Sequence, residues 1–218
     1  MKTYLNILSV LAIPLFLLGL TVSIVIAYVL GHYSIFFNTI SELGSTSYTP
    51  FPIIINLTFM ISPFFLSFFF LKLFNVIQGH VKNHKHINNL SVFGFSLFCL
   101  MNLAFIFVGI FNVDISILIH TICTIFVFVP LIFGEIIMGV IILIKKIFHP
   151  FFAIAMIFGH FTVSMFYFIT QAPLLEWIVF FVLMLFLLNI LLAKRKKKVL
   201  VIIFTLLIYL LDVKFRQI

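Results

Sequence analysis

Few side chains in this 218-residue chain can carry out acid–base or metal chemistry. Only five residues are acidic, and three of them, Glu42, Asp114 and Glu176, lie in or beside segments without Lys or Arg. His32 and His120 lie near the same segments. Catalytic zinc is commonly bound by histidines and a carboxylate, with one position left open for water. One hypothesis is therefore a zinc site in which His32, His120 and a carboxylate, such as that of Glu42, bind the metal.

No short motif supports that zinc site, because the sequence contains neither an HExxH pattern nor a closely spaced CxxC pair. Asp114 and His120 are six residues apart, or about 240° around a helix, so they would not share one helix face. Asp114 directly precedes the apolar run that begins at Ile115, which predicts a helix N-cap. Contact of these polar groups with lipid head groups and water explains their positions without a metal.

A second set of polar residues lies within apolar segments. Glu135 is ten residues before Lys145, and His160 is ten residues after Pro150, which places both about 15 Å from the same end of neighbouring helices. Asn102 reaches nearly the same level and would complete a hydrogen-bonded trio. Ionisable residues are costly at this depth in a membrane. Two interpretations stay open: a structural hydrogen bond between helices, and a proton relay or ligand contact.

These side chains belong to a very apolar chain. Hydrophobic residues make up 65% of it and charged residues 8%, with 32 Phe and a mean hydropathy of +1.38. Soluble domains of this size contain far fewer apolar residues. The net charge of +8 comes from residues in short loops rather than from one face of a folded domain. The composition therefore excludes a soluble fold and gives no support to a nucleic-acid partner.

Apolar segments of about 20 residues, the length that crosses a bilayer as a helix, recur six times. They predict an all-α fold, a polytopic transmembrane helical bundle. A seventh apolar run, residues 199–211, is about 20 Å long as a helix and is short for a span. The six predicted spans are residues 5–30, 53–74, 91–111, 115–144, 151–169 and 176–193.

Lys and Arg mark one side of the predicted membrane. With a cytoplasmic N-terminus, all but two of the 13 basic residues fall on the cytoplasmic side, as the positive-inside rule requires. The exceptions, Lys214 and Arg216, follow the seventh run and obey the rule only if that run does not cross. We therefore predict a multi-pass protein of the cell membrane. Its parts are a six-helix membrane domain (1–193), a basic cytoplasmic loop (194–198) and a short hydrophobic C-terminal segment (199–218).

The loops are too short to hold a soluble domain. The longest predicted loops are residues 31–52 outside and 75–90 inside. Three histidines fall within residues 80–86, but the lysines among them would repel a metal cation, and a hydrated basic loop explains the composition. We expect this loop and residues 194–198 to contact anionic lipid.

The first outer loop resembles a known family. The stretch Asn38-Thr39-Ile40-Ser41-Glu42-Leu43-Gly44 is similar to the Ile-Ser-Glu/Asp-Leu-Gly signature of the family called domain of unknown function 998. The stretch Phe107-Val108-Gly109-Ile110-Phe111, followed by His120-Thr121, resembles that family's Gly-hydrophobic-Phe turn and His-Thr pair. The resemblance covers about residues 5–193, although Asn112 stands where a proline is expected.

That family is similar to the Frag1/DRAM/Sfk1 group, which includes factors in lipid-anchor remodelling and autophagy. The resemblance implies that Ser41, Glu42, Gly44 and His120 belong to a site on the outer side. Our leading hypothesis is an outer-face polar pocket that handles a lipid or its head group. The candidate pocket residues are Ser41, Glu42, Gly44, Asp114, His120, His32 and Glu176.

Two other functions stay open. One is a membrane-embedded, metal-dependent hydrolase that uses His120 with Glu42 and Asp114 as metal ligands or base. The other is a proton-coupled transporter or channel that uses the intramembrane cluster of Asn102, Glu135 and His160. The sequence leaves open whether the protein is an enzyme.

Overall fold

The computed structural model describes residues 2–170 and 172–192, and every regular element in them is helical. Apolar sequences of this length satisfy their backbone polar groups within their own segment by forming helices. The predicted all-α bundle is confirmed for this part of the chain. The helices are α1 (Lys2–Leu30), α2 (Ile53–Val81), α3 (Lys85–Ile110), α4 (Ile117–Lys145), α5 (Pro150–Ile154), α6 (His160–Thr170) and α7 (Pro173–Leu192), with a 3-10 helix at Ser41–Gly44 and a π-helical segment at Ala155–Gly159.

Five helical segments of the described chain are long and apolar enough to cross a membrane. They correspond to α1, α2, α3, α4 and the continuous run Pro150–Thr170, and they overlap the first five predicted spans. The helix α7 occupies the place of the predicted sixth span, and its part Pro173–Met184 is an apolar helix. The basic loop and the seventh apolar run lie outside the described residues. A count of six spans with a seventh segment stays a prediction.

The connection between α2 and α3 is shorter than expected. The prediction of a loop over residues 75–90 is wrong, because α2 continues to Val81 and α3 begins at Lys85. Val81 is fully buried, and Gln78 Nε2 donates a hydrogen bond of 2.6 Å to Ser91 Oγ. These contacts between the two helix ends favour helix over loop, although the residues there are polar.

Consecutive helices pack side by side, and α7 contacts both α6 and α1. The ring of Phe16 in α1 stacks on that of Phe180 in α7, with 4.6 Å between the ring centroids. Phe16 also packs against Phe59 of α2 and Phe105 of α3. Such aromatic pairs each stabilise a fold by about 0.5–1.5 kcal/mol beyond the area they bury. The cluster joins the first and last described helices to the middle of the bundle.

Glycines bring the first three helices close together. A Cβ atom on Gly109 of α3 would lie 2.5 Å from the backbone oxygen of Asn56 in α2 and 2.7 Å from Met60 Cγ. A Cβ atom on Gly19 of α1 would overlap the side chain of Thr58 in α2. Small residues permit this close approach between helices in membranes. The helix ends beneath residues 31–52 are therefore tightly packed and support that loop.

Candidate functional site

The loop of residues 31–52 covers one end of the bundle, here called the outer end because we predict that it faces outside. Thr39 and Glu42 form a capping box, in which each side chain accepts a hydrogen bond from the other residue's backbone N–H. The distances are 3.3 Å from Glu42 N to Thr39 Oγ1 and 2.8 Å from Thr39 N to Glu42 Oε2. Asn38 Nδ2 donates to the same carboxylate oxygen at 3.0 Å. The predicted site residue Glu42 therefore holds the fold of its own loop.

Gly44, another predicted site residue, fits closely against α2. A Cβ atom there would lie 2.5 Å from Asn56 Oδ1, and Asn56 Nδ2 donates a hydrogen bond of 3.3 Å to Gly44 O. The neighbouring Leu43 is fully buried. Gly44 thus allows the 3-10 helix to dock on the bundle, which is a packing role.

The start of α7 is fastened to the same loop. Trp177 is 1% exposed, and its Nε1–H donates a hydrogen bond of 3.0 Å to Asn38 O. The Tyr33 hydroxyl donates a hydrogen bond of 2.8 Å to Thr39 O, and its ring packs edge-on against Trp177. Burial, together with the charge of Glu176 and of the loop's own acidic residue, raises the pKa of Tyr33. Tyr33 is therefore a neutral donor at physiological pH.

Asp114 joins the outer loop to the turn between α3 and α4. Its carboxylate accepts hydrogen bonds of 2.6 Å from Ser45 Oγ and 2.7 Å from Thr46 N. Partial burial raises the pKa of Asp114, but these hydrogen bonds outweigh burial and hold the pKa below its usual range. The prediction that Asp114 caps α4 is wrong: the helix begins at Ile117, and Ser116 Oγ accepts the capping hydrogen bond. The carboxylate is engaged by the loop instead.

The two candidate histidines lie in different surroundings. His120 is 6% exposed, and its Nδ1 is 2.9 Å from Phe111 O in the preceding turn. Its Nε2 is buried and has no hydrogen-bond partner among the described residues. His32 is exposed on the outer loop. His120 therefore stabilises the turn before α4, whereas His32 is exposed at the surface.

The described residues contain no group of three or more His, Cys, Asp or Glu side chains that could hold a metal ion. The proposed ligands Glu42 and His120 instead bond to backbone groups near them. The geometry of the described chain therefore does not fit the zinc site of the hydrolase hypothesis.

A cavity of about 60 Å³ lies below the 3-10 helix, between α2, α3, α4 and α7. Its lining on α2 runs from Phe59 to Phe70, eleven residues or about 16 Å along the helix axis. The walls are almost entirely apolar and include five aromatic rings: Phe59, Phe70, Phe105, Phe128 and Phe180.

Ser41 and Glu176 supply the polar groups at the outer end of this cavity. Glu176 is 5% exposed and accepts hydrogen bonds from Ser41 Oγ and from the Tyr167 hydroxyl, both 3.4 Å long. A buried carboxyl group is costly unless it is well hydrogen-bonded. Two of the predicted pocket residues are thus brought together at the end of an apolar cavity, from positions 135 residues apart.

The intramembrane cluster is described only in part. Glu135 is 1% exposed and Asn102 is 5% exposed, so both lie inside the bundle. Asn102 Nδ2 donates a hydrogen bond of 3.1 Å to Ser67 Oγ of α2. His160 begins α6, but its side chain lies outside the described part of the structure. The trio of Asn102, Glu135 and His160 stays a prediction.

Sequence reasoning missed Tyr167, Trp177 and the aromatic lining of the cavity. The chain has a single tryptophan, and a tryptophan needs a partner for its N–H when it is buried, which could have drawn attention to Trp177. The T-x-x-E spacing of Thr39 and Glu42 is a known capping signature and could have revealed the role of Glu42. The phenylalanines gave no signal, because nearly every span is rich in them.

No family model matches the chain, and neither the curated proteins nor the solved structures include a significant match to it.

Proposed function

We propose that the protein is a multi-pass membrane protein that binds the hydrocarbon chain of a membrane amphiphile in this cavity. The polar end of the amphiphile would lie at Ser41 and Glu176. The observation that carries the proposal is the pairing of an apolar cavity with one buried carboxyl group at its outer end. Binding sites for small molecules commonly combine apolar walls with a few placed polar groups.

The energetics of the cavity support an occupant. Protein interiors contain few voids larger than a water molecule. Empty apolar space destabilises a protein by about 24 cal/mol for each Å³, so a void of this size would cost about 1.4 kcal/mol. A hydrocarbon chain is compatible with the aromatic and aliphatic walls and would recover that energy through dispersion contacts. The surrounding bilayer supplies such chains at high concentration.

The proposal places α7 as a sixth span, the N-terminus in the cytoplasm and the protein in the cell membrane. Supporting this orientation, Lys and Arg are absent from residues 3–71, 86–144 and 147–193, which include the whole outer end. Membership of the family called domain of unknown function 998 stays a prediction that rests on residues 38–44 and 107–121. The basic inner segments would contact anionic lipid.

The test compares two identical substitutions on α4. Val127 lines the cavity and is 7% exposed, whereas Val129 is 40% exposed. Native mass spectrometry of protein purified in mild detergent should find a bound amphiphile in the wild type and in Val129→Phe. Val127→Phe should lose it, because the larger ring fills the cavity. If folded Val127→Phe keeps the amphiphile at wild-type occupancy, the cavity is not the binding site.

A second candidate function is a proton-coupled transporter or channel, favoured by the burial of Glu135 within α4. Buried ionisable residues inside a span commonly mark proton or ion pathways. In reconstituted vesicles, Glu135→Gln should then abolish proton flux, whereas Glu176→Gln should not. Equal flux in wild type and Glu135→Gln would remove this candidate.

A further inference from the structure

The polar end of the cavity is poorly satisfied. Both side-chain hydrogen bonds to Glu176, from Ser41 Oγ and the Tyr167 hydroxyl, are 3.4 Å long, although Glu176 is only 5% exposed. Hydrogen bonds between oxygen atoms are usually about 2.7–2.8 Å. The backbone N–H of Ser41 also acts on this carboxyl group. Because both side-chain bonds are long, the carboxyl group can still accept a shorter hydrogen bond. A ligand that donates a hydrogen bond here would supply what the protein does not.

The charges around the cavity exclude an anionic end group. Every cavity-lining residue lies within residues 3–71, 86–144 or 147–193, and these segments contain no Lys or Arg. Glu42 is close enough to Glu176 to act on it electrostatically. A carboxylate or phosphate would therefore meet acidic groups with no Lys or Arg among the lining residues to balance it, which costs binding energy.

An ammonium group is also a poor fit. It would carry a full charge into a cavity with almost wholly apolar walls, and its loss of hydration would offset the attraction to Glu176. A hydroxyl group is uncharged, donates one hydrogen bond and accepts others. It could donate to Glu176 without carrying a charge into the cavity, so it suits the polar end better than either charged group.

We infer that the ligand is a single-chain amphiphile with a hydroxyl end group, bound with the hydroxyl at Ser41 and Glu176 and the chain among the phenylalanines. This inference rests on the proposed function of the cavity. It adds that the site selects an uncharged alcohol over a fatty acid or a long-chain amine of the same length.

The single tryptophan provides the readout. Trp177 is adjacent to Glu176 in α7 and is 1% exposed, so a bromine atom in the outer part of the cavity would quench its fluorescence. Purified protein in a maltoside detergent is titrated with decanol, decanoic acid and decylamine, each brominated near its polar end. Unbrominated decanol serves as the competitor, and Val127→Phe serves as the blocked-cavity control.

We expect saturable quenching by the alcohol, removed by the competitor and by Val127→Phe, with an affinity at least about tenfold higher than that of the acid or the amine. Equal or tighter binding of the acid or the amine would overturn the inference and leave the cavity function standing. If none of the three compounds gives saturable quenching, the proposed function itself fails, and the inference fails with it.

Two variants that replace a carboxylate with an amide separate an effect on selectivity from a loss of folding. Glu176→Gln removes the acidic group at the cavity and should gain binding of decanoic acid, an outcome that a misfolded protein cannot give. Asp114→Asn makes the same change at an outer carboxylate that does not line the cavity, and it should still reject the acid. If folded Glu176→Gln rejects the acid as the wild type does, Glu176 does not set the selectivity.

Discussion

Replacing Gly109 with alanine tests the close packing of α2 and α3 beneath the outer loop. The new Cβ atom would lie 2.5 Å from Asn56 O, 2.7 Å from Met60 Cγ and 3.1 Å from Met60 N. Ordinary contact begins near 3.4 Å, so the backbones must separate by 3.4 − 2.5 = 0.9 Å. Gaps of about 0.5–1 Å remove a quarter to a half of each dispersion contact. We expect the free energy of unfolding to fall by about 1–3 kcal/mol.

The matched control is Gly79→Ala, near the end of α2. A Cβ atom added there would have no other atom within 4 Å. This variant should be unchanged or more stable by up to about 1 kcal/mol, because alanine favours helix over glycine. Both proteins are unfolded with sodium dodecyl sulfate in mixed micelles and followed by circular dichroism. Equal stability of Gly109→Ala and Gly79→Ala would refute the close approach of the two backbones.

Three further predictions concern polar contacts. Glu42→Ala should lower the free energy of unfolding by about 0.5–2 kcal/mol, whereas Glu42→Gln should cost much less because its amide oxygen still accepts hydrogen bonds; thermal unfolding separates them. Asp114 has a lowered pKa when folded, so its stabilisation is complete above about pH 4 and is lost as the pH falls through the folded-state value. The free energy of unfolding should therefore change less with pH in Asp114→Asn than in the wild type, which an acid titration of both proteins measures. A double-mutant cycle of Asn102→Leu and Ser67→Ala should give a coupling of about 0.6 kcal/mol, and no coupling would exclude their hydrogen bond.

The helices were predictable because hydropathy alone determines where long apolar segments lie. Their ends were less predictable, since contacts between distant segments decide them. The inner ends of α2 and α3 stay helical because Gln78 and Ser91 bond across the two helices. The start of α4 moves past Asp114 because Ser45 takes that carboxylate, leaving Ser116 as the cap. Neither contact can be read from local sequence patterns.

The sequence predicted several residues of the candidate site but not the contacts between them. Glu176 was identified because acidic residues are rare in this chain, and Ser41 because it lies beside Glu42 in the stretch that resembles a family signature. Their contact joins segments far apart in the sequence and required the fold. The spacing of Thr39 and Glu42 is that of a capping box, so the role of Glu42 was visible in the sequence. Asn102 was identified as a polar residue within a span, but counting along α3 could not identify Ser67 on the neighbouring helix as its partner.

The position of a bound chain tests the central claim most directly. A photoactivatable alkyl alcohol is added to the purified protein, activated by light, and its sites of attachment are mapped by mass spectrometry. A chain in the cavity predicts labels on the buried lining residues Met101 and Leu131, removed by excess unlabelled alcohol. Labels restricted to the exposed residues Val129 and Phe133, and insensitive to competition, would show that the chain only coats the outside of the bundle.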